Sequence, residues 1–320
     1  MNLSRRALVV GAVVAAFDCS RREGGSAGSP AASSTPARSE PSVTGDAGPG
    51  GPADGSRLLE WSFAGNERAV AVVPTWGSPG GHFPTVVALH GRGEALKSPA
   101  DGAMGWPRDY ELVRAMRRLR APPLAKADFE GLIDDPGLAA VNAELLTRPF
   151  RGIVALCPYL PDIDIHSPSR QAALEAYGRF VIEVLLARGR NETPALAAAA
   201  STGIDGVSLG GAVALHVGLS NPLAFGAVGA IQPAIRVEDA AFWAERALAA
   251  RRQNPALQLR LLTSEDDHFR EAVTRTSQSW RAAGITHDFK IAAGPHDYVF
   301  NRGPGSIELL RWHDAVLQRA

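Results

Sequence analysis

The chain is short of cysteine, of net charge and of long apolar runs, and each shortage closes off a class of function. Only Cys19 and Cys157 occur in 320 residues, one ending an N-terminal apolar run and the other closing a β-branched run. Two thiols in such different settings do not make a disulfide framework. No Cys/His spacing resembles a zinc site, so no metal is expected. The 33 basic and 33 acidic residues cancel. That leaves no electrostatic footprint for nucleic acid and no broad basic face for an anionic membrane. There are no internal repeats. What remains is 45% hydrophobic and 21% charged, enough to bury one large core or two small ones.

The N-terminus reads as an address. Ser4-Arg5-Arg6 precedes an apolar run from Ala7 to Phe17, too short to cross a bilayer but the length of a signal h-region. The arginine pair resembles a twin-arginine signal, and Cys19-Ser20 invites a lipid anchor. Against the anchor, Ala16 and Asp18 stand where such signals carry Leu and a small residue. Residues 1–19 are therefore expected to direct export, to the cell envelope or beyond. The only membrane contact expected is through that lipid. Residues 20–55 are Ser, Gly, Pro and Ala with scattered charges. They bury too little apolar surface to offset the entropy of folding and are expected to form a disordered tether.

From residue 56 to 320 the pattern is that of one α/β domain. Leu58–Ala64 and Arg68–Val73 read as paired strands around Gly65-Asn66. Five β-branched or apolar runs follow: Thr85–Gly91, Arg151–Pro158, Ser201–Ser208, Ala224–Ile231 and Leu257–Thr263. Thr286–Ala293 is the last. Most lack polar alternation, as strands buried on both faces do. Helix-period segments lie between them: Asp109–Leu119, Gln171–Ala187, Leu209–Leu219, Ala240–Arg252, Phe269–Ala283 and Ile307–Leu317. This alternation predicts a mostly parallel sheet with helices on both faces. About sixty residues separate Leu89 from Arg151, a length that usually carries function. Within it, residues 121–150 are expected to form either a lid beside the site or a peripheral decoration.

Gly206-Val207-Ser208-Leu209-Gly210 fits G-x-S-x-G, and so does Gly24-Gly25-Ser26-Ala27-Gly28. Only the first follows a strand and opens a helix, the context the motif needs. The glycines permit a turn too sharp for flanking side chains, which lifts the Ser208 hydroxyl and aims the Leu209 N–H into the same space. A plain helix cap is the alternative role for Ser208. A serine nucleophile needs a base, and the base an orienting acid. Outside the helix after Ser208, four histidines follow it: His268, His287, His296 and His313. His296 sits in a Gly-Pro loop beyond the last strand, where a parallel sheet puts its chemistry. The acid falls in Ser264-Glu265-Asp266-Asp267-His268. Asp267 is preferred, with Asp266 and Glu265 as alternatives. The second oxyanion donor is expected from the loop Leu89-His90-Gly91-Arg92-Gly93, at the Arg92 N–H. The Arg92 guanidinium could instead read an acidic substrate group. His90 is expected to be a structural hydrogen-bonding residue rather than a base, and His90 and Gly91 are expected to border the substrate.

The ordered set LHGRG, PYLPD, GVSLGG, TSEDDHF and GPHDYVF, spread from Thr85 to the C-terminus, resembles the esterase group of the α/β-hydrolase superfamily. That group holds the esterase D-like and enterochelin-esterase-like enzymes. The resemblance implies an α/β-hydrolase fold, triad roles for Ser208, Asp267 and His296, and no cofactor. The expected substrate is a small-molecule or polymer carboxylic ester. A serine peptidase or amidase on the same scaffold is one alternative, and a non-catalytic binding protein of this fold is another.

Overall fold

The computed structural model describes residues 55–77, 81–165 and 167–317. The expected signal segment, the tether apart from Gly55, and the second G-x-S-x-G match lie outside the described residues. Short runs bounded by glycine and proline form strands β1 (Ser56–Ser62), β2 (Arg68–Pro74) and β3 (Thr85–Leu89). Next come β4 (Val154–Pro158), β5 (Thr202–Gly206) and β6 (Ala227–Ile231). β7 (Gln258–Asp266) and β8 (Asp288–Pro295) complete one eight-stranded sheet of order β1-β2-β4-β3-β5-β6-β7-β8. β1 and β2 pair antiparallel around the Gly65 turn, and β2 runs antiparallel to β4. The remaining pairs are parallel. A parallel register forces each chain crossover over one face of the sheet, which is why helices alternate with these strands.

The helices are α1 (Arg92–Ala95), α2 (Pro99–Ala103), α3 (Leu112–Arg120) and α4 (Asp135–Thr147). They continue with α5 (Arg170–Arg179), α6 (Leu186–Glu192), α7 (Leu209–Ser220) and α8 (Ala240–Gln253). The last are α9 (Arg270–Ala282), α10 (Tyr298–Phe300) and α11 (Ser306–Val316). The period of two along each central strand feeds two cores. Val87, Leu89, Leu156 and Ile204 face the layer of α5 to α9, whereas Val86, Ala88 and Ala155 face α3, α4 and α11. The one long helix expected over Gln171–Ala187 is α5 and α6 joined by a π-helical stretch at Phe180–Leu185. β8 departs from the expected two-sided burial, with Lys290 and Ile291 exposed, because it is an edge strand. Cys157, on β4, is buried and unpaired, and burial pushes its thiol far up from the ordinary range.

Residues 121–150 pack largely on the body of the domain. Phe129, Val141 and Leu145 are buried in the core shared with α3 and α11. Arg118 forks onto Asp128, and Arg311 pairs with Glu144 at 2.8 Å. Leu146 is exposed, and Leu132 packs at Gly294, two residues from His296, but no residue of the segment lines the cleft at Ser208. This packing favours the peripheral decoration over the lid.

Candidate active site

The carboxyl ends of β3, β5, β7 and β8 deliver the predicted residues to one edge of the sheet. Val207 bridges to Ile231, and the Ser208 N–H donates to the Ile231 carbonyl at 3.0 Å. Ser208 therefore turns before α7 begins, with φ 56° and ψ −118°, a strained conformation for a side chain of this type. The glycines are needed because backbone fills the space around them. A Cβ on Gly206 would lie 2.5 Å from the Gly210 carbonyl, and one on Gly210 would overlap the Leu89 and His90 carbonyls. The turn thus lifts Ser208 out of the sheet while β3 and α7 stay in contact.

His296, just beyond β8, bridges two of the other groups. Its Nε2 lies 3.0 Å from Ser208 Oγ and its Nδ1 lies 2.8 Å from Asp267 Oδ1. Asp267 is buried and accepts further bonds from the Thr263 hydroxyl at 2.6 Å and the Phe269 N–H at 2.9 Å. Burial alone would raise its pKa, but the bonds from His296, Thr263 and Phe269 outweigh this and hold the carboxyl below its ordinary range. These acceptors fix the tautomer: Nδ1–H donates to Asp267, and Nε2 accepts from Ser208. Asp266 and Glu265 are exposed at the end of β7.

Three of the other histidines lie elsewhere, and His268 borders the site. His287 pairs with Ser277 Oγ at 2.7 Å and the Ile285 carbonyl. His313 is buried on α11 against Asp205 at 3.1 Å, beside Arg260. His216 packs on Trp243, ring centroids 4.7 Å apart. His268 is exposed, its ring 4.3 Å from that of His296. Ligand atoms of Asp267, His268 and His296 cluster within 4.8 Å. The Asp267 oxygens, however, are already filled by three donors, so the set suits a hydrogen-bonded acid better than a cation.

His90 does not border the substrate as expected. It is buried, its Nδ1–H donates to the Gly91 carbonyl at 2.9 Å, and its Nε2 accepts the Leu160 N–H at 2.9 Å. Burial lowers its pKa to about 4, so the ring stays neutral and staples the loop after β3 to the loop after β4. Gly91 is placed beside the nucleophile: a Cβ there would be 3.7 Å from Ser208 Cβ. Its N–H is committed to the Tyr110 hydroxyl at 3.1 Å. Arg92 and Leu209 are the first residues of α1 and α7, so their N–H groups have no acceptor within their helices. Both residues line the Ser208 cleft. The Arg92 guanidinium forks onto Asp162 at 2.9 and 3.1 Å at the exposed rim of the cleft.

The cleft measures about 590 Å³ and mixes apolar walls, Ile163, Ile165, Leu209, Ala234 and Phe269, with Ser208, His268 and His296. That volume suits a small organic ligand. A cavity of about 510 Å³ around His216 and Arg246 holds no serine paired with a base.

Sequence reasoning missed Gln232, which is buried with φ 44° at the end of β6. Its Nε2 donates to Ser264 Oγ at 2.6 Å and to the Pro295 carbonyl at 2.9 Å. It thereby ties the strand ends that carry Asp267 and His296. Its sole signal was a polar residue directly after an apolar strand.

Residues 166–298, which contain Ser208, Asp267 and His296, match the family described as "Putative esterase". No curated protein matches the chain. Among solved structures, a ferulic acid esterase is similar with TM-score 0.59 at 13% identity, over 82% of this chain and 99% of its own. The S-formylglutathione hydrolase FrmB from Staphylococcus aureus gives TM-score 0.55 at 12% identity, over 81% of this chain and 98% of its own. An S-formylglutathione hydrolase from Agrobacterium tumefaciens gives 0.53 at 18%, over 84% of this chain and 98% of its own. The chain has the α/β-hydrolase fold. Together with the family match, this supports the esterase group of that superfamily, and the family match supports ester hydrolysis.

Proposed function

We propose that the protein is a serine hydrolase that cleaves a carboxylic ester through an acyl-enzyme on Ser208. The reading rests on one observation: the His296 imidazole lies within hydrogen-bonding distance of Ser208 Oγ and Asp267 Oδ1 at the mouth of a cleft. Ser208 Oγ attacks the acyl carbon as its proton passes to His296 Nε2. Asp267 holds the ring in place and stabilises the imidazolium. The N–H groups of Leu209 and Arg92 donate to the carbonyl oxygen as negative charge builds on it. His296 then protonates the departing alkoxide and the ester bond breaks. Water then attacks the acyl carbon as Nε2 takes its proton; the bond from the acyl carbon to Ser208 Oγ breaks, Nε2 returns the proton to that oxygen, and the acid leaves. The substrate is a small or polymeric ester whose carbonyl enters between Leu209 and Arg92.

The test is turnover of p-nitrophenyl acetate, with fluorophosphonate labelling of the serine. Ser208→Ala should lose turnover by at least about a thousandfold and lose labelling altogether. Undiminished turnover in that variant would refute the assignment. A panel of matched ester and peptide substrates separates an esterase from a peptidase.

A further inference from the structure

The mechanism above leaves one buried carboxylate beside the nucleophile without a task. Glu94, in α1, is 1% exposed. One of its oxygens accepts from the Tyr110 hydroxyl and the other from the Tyr298 hydroxyl, with Lys97 Nζ 3.5 Å away. The two tyrosines come from different segments of chain and pack edge to face on each other, ring centroids 5.7 Å apart. Tyr110 accepts the Gly91 N–H, so the hydrogen bonds run in one direction from the loop after β3, through a phenol, to Glu94. Tyr298 is two residues beyond His296 and opens α10, the short helix capped by Asp297. Burial, and then the charge of Glu94, push the Tyr110 hydroxyl up in pKa, so it remains a donor.

The packing allows little play. A Cβ on Gly93 would meet the Tyr298 hydroxyl at 2.9 Å, and one on Gly105 would meet Glu94 Cγ at 2.8 Å. With the Gly91 N–H turned inward to Tyr110, the next amide along the loop is that of Arg92, which lines the cleft.

We propose that Glu94 is a positioning residue for the reaction: one buried carboxylate locks the loop that supplies an oxyanion donor to the loop that carries His296. This rests on the hydrolase reading. Glu94 touches neither substrate nor reacting atoms; it acts through Tyr110 on Gly91-Arg92 and through Tyr298 on His296. An isosteric amide has one acceptor oxygen in place of two, so one phenol must lose its partner.

The experiment compares the full chain with Glu94→Gln and Tyr298→Phe. It measures kcat per fluorophosphonate-titrated site, KM for p-nitrophenyl acetate, and Tm. Glu94→Gln should lower kcat per titrated site by about tenfold to a hundredfold, with KM within about threefold, as expected when donor and base shift by a fraction of an ångström. Tyr298→Phe, at a position 38% exposed, should lower kcat in the same direction by about fivefold with little change in Tm. A purely structural role would lower Tm while each titrated site kept its kcat. That result, or a rise in KM alone, overturns the inference. If Glu94→Gln fails to fold, Tyr298→Phe decides by the same criteria. A parent protein that neither turns over nor labels defeats the hydrolase reading and this inference with it. An active parent with unchanged variants defeats the inference alone.

Discussion

Arg92→Pro removes a single hydrogen-bond donor from the cleft with little disturbance to the backbone. Arg92 is the first residue of α1, where proline is readily accommodated. The preceding residue must be extended to precede proline, and Gly91 already is, at φ −78° and ψ 179°. Gly91 also has no Cβ to meet the ring. The Arg92 side chain is 69% exposed, so the ring has room. What disappears is the N–H proposed to face the substrate oxygen, and Cδ takes its place. Removing one such donor costs about 10²–10³ in kcat, roughly 3–4 kcal/mol, and the intruding methylene makes this a lower bound. Arg92→Ala is the control. It keeps the N–H and deletes only an exposed, solvent-screened ion pair with Asp162, so kcat should stay within about threefold. Both variants are assayed on p-nitrophenyl acetate after active-site titration, with Tm as the folding control. Arg92→Pro turning over within about threefold of the parent would remove the amide from the mechanism. Equal losses in the two variants would transfer its role to the guanidinium.

Two further outcomes follow from the same geometry. In Asp267→Asn the Phe269 N–H still demands an oxygen, so the amide oxygen stays toward His296 and Thr263 becomes the acceptor. The tautomer survives and the charge is lost. At an effective dielectric of about 20 a unit pair ~4 Å apart is worth about 4 kcal/mol, or about a thousandfold in kcat. Asp266→Asn should change kcat by less than about twofold, and a reversed ranking would name the wrong acid. For stability, burial lowers the pKa of His90 and His216 to about 4, whereas unfolded histidine titrates near 6.5. The unfolded chain therefore binds protons first as pH falls. Stability is full above about 6.5 and declines toward 4, by roughly 2–3 kcal/mol per histidine at pH 4.5. Urea midpoints at pH 7 and 4.5 should show this decline, and His216→Phe should show less of it. A parent midpoint that holds steady over that interval would contradict the argument.

The sequence carried the sheet, the helices and the turn at Ser208 because local chemistry dictates them. Runs such as Thr85–Leu89 have no solvent face to encode, and the glycines at 206 and 210 answer a backbone contact that any such turn creates. The choice between Asp266 and Asp267 was not local. It depends on where β7 ends against β8, and on Thr263 and the Phe269 N–H, which only the folded register brings to one carboxylate. The structural bonding of His90 was legible, but its removal from the substrate was not, because its partner, the Leu160 N–H, lies 70 residues away. Tyr110 and Gln232 left almost no trace, since a residue that acts by bonding to distant backbone has no spacing to betray it. The segment 121–150 was ambiguous for the same reason. Its apolar content states that it covers something but not which surface.

Cys157 gives the domain an internal stopwatch. A thiol reacts as its thiolate, and β4, hydrogen-bonded between β2 and β3, denies it both ionisation and access. Each alkylation at that position therefore counts one excursion in which the middle of the molecule has come apart. With reagent concentrated enough for alkylation to outpace reclosing, its pace, followed by mass on the single peptide that holds it, reports the lifetime of the assembled interior without reference to any event at the serine.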